Sequence, residues 1–220
     1  MPLHGVPQHR AGGARGCSRL TEPDVAIAIL AAGRGSRFGG DVPKPLVDLH
    51  GRPLITWALA AANASALRPV VLVVGHGAAA VTRTATEGVV VVRAWRWRRG
   101  IARSLRAALQ TLDPWAQVGA VCVGLGDQPL VGPDAYRRLA AAYRGGATLA
   151  VATYDGRRGN PVLLARPLWA DARHLDGDVG ARALMKDHDV AEVDCTGTGD
   201  PSDVDTLDDL REAERRLEAR

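Results

Sequence analysis

The chain has 220 residues, 46% hydrophobic and 24% charged, which is enough apolar material for one α/β domain with a sizeable core. Its formal charge is +4, but Arg10, Arg15 and Arg19 against Glu22 place half of that excess in residues 1–23. The body is therefore close to neutral, which argues against a polyanion partner. Cys17, Cys122 and Cys195 form no C-x-x-C pair, which speaks against a disulfide framework or zinc site and fits a reducing cytoplasm.

Residues 1–23 lack the apolar centre of a signal peptide and read as a disordered tail, and no apolar run reaches membrane-spanning length. The apolar run at 25–30 is followed by the most informative segment, ILAAGRGSRFGGDVPKPLVDLHGRP at 29–53. It gathers Gly33, Gly35, Gly39 and Gly40 with Arg34, Arg37 and Lys44. Glycines let backbone N–H groups approach an anion, arginine recognises phosphate bidentately, and lysine adds a point charge, so a nucleotide triphosphate suits this loop. Spacing removes two rivals. Asp41 and Val42 follow the last glycines where a P-loop needs Lys and Ser or Thr, and Gly33, Gly35 and Gly39 are one residue too long for the dinucleotide fingerprint.

Downstream, short apolar runs at 70–74, 89–92, 120–125 and 147–152 alternate with Ala-rich helical patterns at 54–67, 78–85, 101–112 and 133–143. This is the pattern of a parallel sheet buried on both faces with crossover helices, whose ligands sit beyond the carboxyl ends of the strands. RAWRWRRG at 93–100 interleaves arginine and tryptophan as a single-strand nucleic-acid binder does, but the run is short and the body charge low. It reads instead as a loop after the third strand.

Asp127 in GDQP falls just past the strand at 120–125 and faces the same crevice as the glycine loop, where a hard cation on a phosphate needs a carboxylate. In DPSDVDTLDDL, Thr206 and Asp209 make a capping box, and Leu207, Leu210, Ala213 and Leu217 an apolar stripe on the helix that follows. Asp203 and Asp205 then lie on one side of the preceding extended segment, with Val204 facing away. Either they reach one cation or they favour the positive end of the helix dipole. His50, His76, His174 and His188 are scattered and neither Ser36 nor Ser104 sits in G-x-S-x-G, so a nucleophilic triad is not supported.

The loop resembles both the signature of the MobA-like NTP transferases and the PKPL loop of sugar-phosphate and phosphocholine nucleotidylyltransferases. Five later segments resemble the molybdenum cofactor cytidylyltransferase branch of the MobA-like group: GDQP, Trp97-x-x-Gly100-x-x-x-Ser104-Leu105, GNPVLLAR at 159–166, GDVGAR at 177–182 and DVDT at 203–206. The likeness runs from about residue 26 to 210. It differs in Pro43-Lys44-Pro45, where the group more often has Asp-Lys, and in Phe38, where Met is common.

This resemblance implies a three-layer α/β/α Rossmann-like nucleotidyltransferase fold with a mostly parallel sheet, occupying residues 24–220. It implies nucleotide contacts from Leu30, Ala31, Ala32, Gly33, Arg34, Gly35, Gly40 and Lys44, and catalytic roles for Arg37, Lys44 and Asp127. Mg2+ would be held by Asp127 with Asp203 and Asp205, and Trp97, Asn160, Asp178 and Arg182 would lie on the acceptor side. Ala32 in LAAG, where guanylyltransferases of the group have glycine, resembles the cytosine-using form. The implied reaction moves CMP from CTP to a molybdopterin-type cofactor with loss of pyrophosphate, and a molybdoenzyme or its chaperone would receive the product. A sugar-phosphate or choline-phosphate acceptor, guanylyl transfer, and a nucleotide- or nucleic-acid-binding module are the alternatives.

Overall fold

In the computed structural model residues 24–35 and 42–219 are described, so the expected tail at 1–23 and the loop residues Arg37, Phe38, Gly39 and Gly40 lie outside the described residues. Strand β1 (Asp24–Ala31) is apolar on both faces after its first residue and is buried along that length, as a central strand must be. It pairs in parallel with β4 (Val70–Val74) on one side and β6 (Val118–Leu125) on the other. Beyond β4 lies β5 (Val89–Arg93), also parallel.

On the far side of β6 the direction changes. Strand β8 (Arg157–Ala165) runs antiparallel to both β6 and β7 (Leu149–Tyr154), and β9 (Ala191–Asp194) closes the sheet parallel to β7. The order is β5-β4-β1-β6-β8-β7-β9, a mostly parallel seven-stranded sheet with one reversed strand. A small separate hairpin, β2 (Asp48–Leu49) with β3 (Arg52–Pro53), precedes helix α1 (Leu54–Ala64).

The alternation of side chains along β1 divides the core in two. Val25, Ile27, Ile29 and Ala31 pack with α1 and with α4 (Pro133–Arg144), while Ala26, Ala28 and Leu30 pack with α3 (Ile101–Leu112) and α5 (Trp169–His174). The result is the expected three-layer α/β/α arrangement. The short α2 (Ala78–Thr82) adds Val81 to the first face. Helix α6 (Leu207–Glu218) lies apart, covering Leu49, Leu54, Leu130 and Val204 with Ala213. Leu207, expected in the buried stripe of α6, is instead 56% exposed, because it stands at the first helical position, before the stripe reaches the body. The first helix is shorter than its Ala-rich run, stopping at Ala64 with the left-handed Ala66 (φ 64) beyond it. Among the described residues, no helix is long and apolar enough to cross a membrane.

Candidate active site

Three sequence-distant segments meet beyond the carboxyl ends of β1 and β6. The first is the 3₁₀ turn Lys44–Leu46, in which Pro43 and Pro45 fix the backbone around Lys44. Its side chain is thereby directed inward, leaving the residue only 6% exposed. The second follows β6: Gly126 N–H donates to the Leu30 carbonyl at 2.9 Å, which folds Asp127 over the end of β1. A side chain at Gly126 would meet Ala31 Cβ at 2.8 Å and Ile55 Cδ1 at 2.9 Å, so glycine is needed there.

The third is the extended stretch before α6. Val204 N–H donates to the Asp127 carbonyl at 2.9 Å, and its side chain is buried under α6. The pleat then turns Asp203 and Asp205 to the crevice, as expected. The capping box of α6 fixes this stretch further: Asp209 Oδ2 accepts from the N–H groups of Asp205 (3.0 Å) and Thr206 (2.8 Å), while Thr206 Oγ1 accepts from Asp209 N–H.

At the meeting point Lys44 Nζ donates to Asp127 Oδ2 at 2.6 Å and to Asp205 Oδ1 at 2.5 Å. Burial works against the charge on Lys44, but the neighbouring Asp127 and Asp205 carboxylates outweigh it and hold its pKa above the ordinary lysine value. The opposite applies to Asp203, whose carboxyl is pushed up by burial and by the Asp127 carboxylate beside it. Among the described residues, no group of three or more His, Cys, Asp or Glu side chains is arranged to hold a metal ion by itself. The donor set nevertheless fits magnesium, which takes hard oxygens from one or two carboxylates and completes its shell with nucleotide phosphates and water.

Around this centre the crevice has three arms, all bordered by Leu30, Ile101 and Asp178. The central arm, about 610 Å³, carries Ala31, Gly33, Gly35, Lys44, Asp127, Asp203 and Asp205. The second, about 460 Å³, is lined by Ala32, Arg34, Trp97, Arg98 and Ser104. The third, about 500 Å³, is lined by Gln128, Arg158, Asn160 and Arg182.

Most of the expected residues are thus brought together, with two rearrangements. Trp97 stands on the glycine-loop side with Ala32, across the crevice from Asn160 and Arg182. The physical reason is the absence of a side chain at Gly75, where a Cβ would meet Ala32 Cβ at 2.7 Å and Trp97 Cγ at 2.8 Å. Asp178 is not confined to the arm of Asn160 and Arg182 either: Gly100, at φ 100, lets the loop at 176–178 press against it, and Ala102 N–H donates to the Gly177 carbonyl at 3.2 Å. Asp178 is held there at the junction of the arms. Arg37 and Gly40 lie outside the described residues.

Two residues of the third arm escape sequence reasoning. Gln128, 4% exposed, donates through Nε2 to the Pro201 carbonyl at 2.6 Å and accepts from Asn160 Nδ2 at 3.1 Å. In sequence Gln128 is marked only as the neighbour of Asp127 in GDQP. Arg158 carries no mark, because only the reversal of β8 brings its first residues to this end of the sheet.

The chain is 33% identical over 170 residues to the bifunctional protein GlmU of Paracoccus denitrificans, covering 75% of this chain and 37% of that one. With GlmU of Thermus thermophilus it is 39% identical over 131 residues, 59% of this chain and 28% of the other. The chain therefore spans about a third of the length of the curated relatives it matches. Among solved structures, Rv0371c of Mycobacterium tuberculosis H37Rv superposes with a TM-score of 0.77 at 32% identity, covering 89% of this chain and 100% of that one. Molybdopterin-guanine dinucleotide biosynthesis protein A of Archaeoglobus fulgidus shares the fold, with a TM-score of 0.67 at 19% identity over 89% of this chain and 100% of that one. The MobA-like NTP transferase domain model matches residues 27–193, from the strand before the glycine loop to the last strand of the sheet. On that match the chain belongs to the MobA-like NTP transferase domain family, a family of nucleotidyltransferases.

Proposed function

We propose that this domain transfers an NMP group, CMP from CTP by preference, to the terminal phosphate of a molybdopterin-type cofactor, releasing pyrophosphate. One observation carries the reading: a glycine-loop arm and a Gln128–Asn160–Arg182 arm meet at a centre of one lysine and three carboxylates, as two anionic substrates in line would require. In the reaction a phosphate oxygen of the acceptor forms a bond to the α-phosphorus as the bond to the pyrophosphate oxygen breaks. The acceptor is already an anion, so alignment and charge neutralisation matter more than a base. The loop N–H groups and Lys44 would hold the β- and γ-phosphates, and Arg158 and Arg182 would orient the acceptor.

Mg2+, held by Asp127 with Asp203 or Asp205, would neutralise charge on the transferred phosphate. In support, Rv0371c of M. tuberculosis, 30% identical with a TM-score of 0.73, has been solved in complex with manganese. LAAG at 30–33 supports the cytosine base, and the buried free thiols of Cys122 and Cys195 suit a reducing cytoplasm. A molybdoenzyme or its chaperone would take the product. A second reading, with a sugar-phosphate or choline-phosphate acceptor, is favoured by PKPL at 43–46.

The test is pyrophosphate release from each of the four NTPs, with and without reduced molybdenum cofactor and with sugar or choline phosphates in its place. Release from CTP that depends on the molybdenum cofactor and is abolished by EDTA is expected. Release driven by a sugar or choline phosphate would move the assignment to the second reading, and release under no condition would leave a binding module.

A further inference from the structure

Lys44 Nζ stands between Asp127 Oδ2 and Asp205 Oδ1, at 2.6 and 2.5 Å, at the centre of the carboxylates that would hold a divalent ion. These are distances of charge-assisted hydrogen bonds, so the ammonium already supplies the counter-charge that both carboxylates need. The backbone around it is fixed by Pro43 and Pro45, whereas the side chain has a flexible four-carbon stem. An ammonium and a dication cannot share the gap between two carboxylates without strong mutual repulsion. Either the lysine or the metal occupies it.

We infer that Lys44 stands in for the metal until a nucleotide arrives. A triphosphate in the glycine-loop arm gives the ammonium a second set of anionic oxygens within reach of its stem. As Nζ leaves the carboxylates for the phosphates, Asp127 and Asp205 become available to the ion that accompanies the nucleotide. Metal and nucleotide binding are then one coupled event: free divalent cations are kept out of the empty site, and the carboxylates are released only when there is a phosphate to act on. This inference rests on the proposed nucleotidyl-transfer reading for the identity of the ligand, but not on its acceptor. By linkage the coupling must act in both directions, so bound nucleotide raises metal affinity by the same factor by which bound metal raises nucleotide affinity.

The test uses the full chain and free Mn2+ followed by electron paramagnetic resonance, with and without a non-hydrolysable α,β-methylene CTP. Lys44→Met should bind Mn2+ without nucleotide about tenfold or more tightly than wild type, within the usual range of site coupling, while losing most of its affinity for the analogue. Lys44→Arg, which keeps a cation on the turn, should still exclude free Mn2+. If Lys44→Met binds Mn2+ no more tightly than wild type, the inference is overturned. Should that variant fail to fold, wild type alone decides: Mn2+ must fail to compete at concentrations that saturate the analogue-bound protein, and equal Mn2+ affinity in both states overturns it. Turnover is not read, so a protein that shows the coupling but releases no pyrophosphate would refute the transfer reading and leave the coupling standing.

Discussion

Gly35 and Lys44 are packed so closely that a Cβ on Gly35 would fall 2.3 Å from the Cβ of Lys44. Gly35 also has φ 64, a conformation that costs a residue with a side chain about 1–2 kcal/mol. Gly35→Ala should therefore push the lysine turn away from the loop. A fall in NTP affinity of about tenfold or more is expected by calorimetry, with a circular dichroism spectrum like that of wild type. Unchanged affinity would show that the loop and the lysine do not bind the nucleotide as a unit.

Asp127 is joined to Lys44 through its side chain and to Val204 through its carbonyl. Asp127→Ala removes the first and keeps the second, so the fold should survive. The loss of a carboxylate at the reacting phosphate should cost several kcal/mol of transition-state stabilisation, roughly a thousandfold in rate. Pyrophosphate release by the folded variant within tenfold of wild type would remove Asp127 from the reaction.

A Cβ at Gly100 would meet the carbonyl carbon and oxygen of Gly177 at 2.1 Å. Since those are backbone atoms, the loop bearing Asp178 must shift, and Asp178 borders every arm of the crevice. Gly100→Ala should lower kcat by about a hundredfold, as misplacements of an ångström do, with a modest fall in Tm. Normal kcat would mean that the position of Asp178 is immaterial to the chemistry.

Thr206→Ala breaks the capping box of α6 and should cost about 1 kcal/mol of stability, measured by urea unfolding. Because the same Asp209 carboxylate orders the backbone of Asp205, the variant should also turn over more slowly at subsaturating Mg2+. Stability lost with metal dependence unchanged would confine the cap to a structural part.

The methyl of Ala32 is only 3% exposed and packs towards Gly75 and Trp97. Any influence of Ala32 on the base would therefore pass through the position of Trp97. Wild type is expected to prefer CTP to GTP, and Ala32→Gly to narrow the ratio of kcat/KM by letting the indole settle inward. A wild-type enzyme that prefers GTP would overturn the choice of base.

Legibility of the fold followed burial. The runs at 25–30, 70–74, 89–92 and 120–125 stand out in the sequence because their strands are apolar on both faces, or nearly so. Residues 157–165 give no such signal: Arg157, Arg158 and Asn160 are polar, Gly159 has no side chain to pack, and Pro161 lacks a donor, so only the half from Val162 on looks like a strand. The short β9, Ala191–Asp194, alternates at an edge and is equally faint. Locality rather than burial divided the site. That Lys44, Asp127, Asp203 and Asp205 share one crevice could be read because each belongs to a local motif, such as the capping box before which the last two lie. Which arm Trp97 lines, and that Gln128 is locked to Asn160, depend on contacts between distant segments that no local pattern encodes.

The single reversed strand has a consequence for how this crevice can diversify. Strands β5, β4, β1 and β6 present their ends to it, but β8 presents its beginning, with Arg158, Gly159 and Asn160 only a few residues from the hairpin turn at Asp155 and Gly156. Surface turns accept changes of length and sequence more readily than any buried strand does. Variation at that one hairpin can therefore redraw the Asn160 arm while the strands behind the glycine loop keep their register, so what that arm receives can change without rebuilding the rest of the crevice.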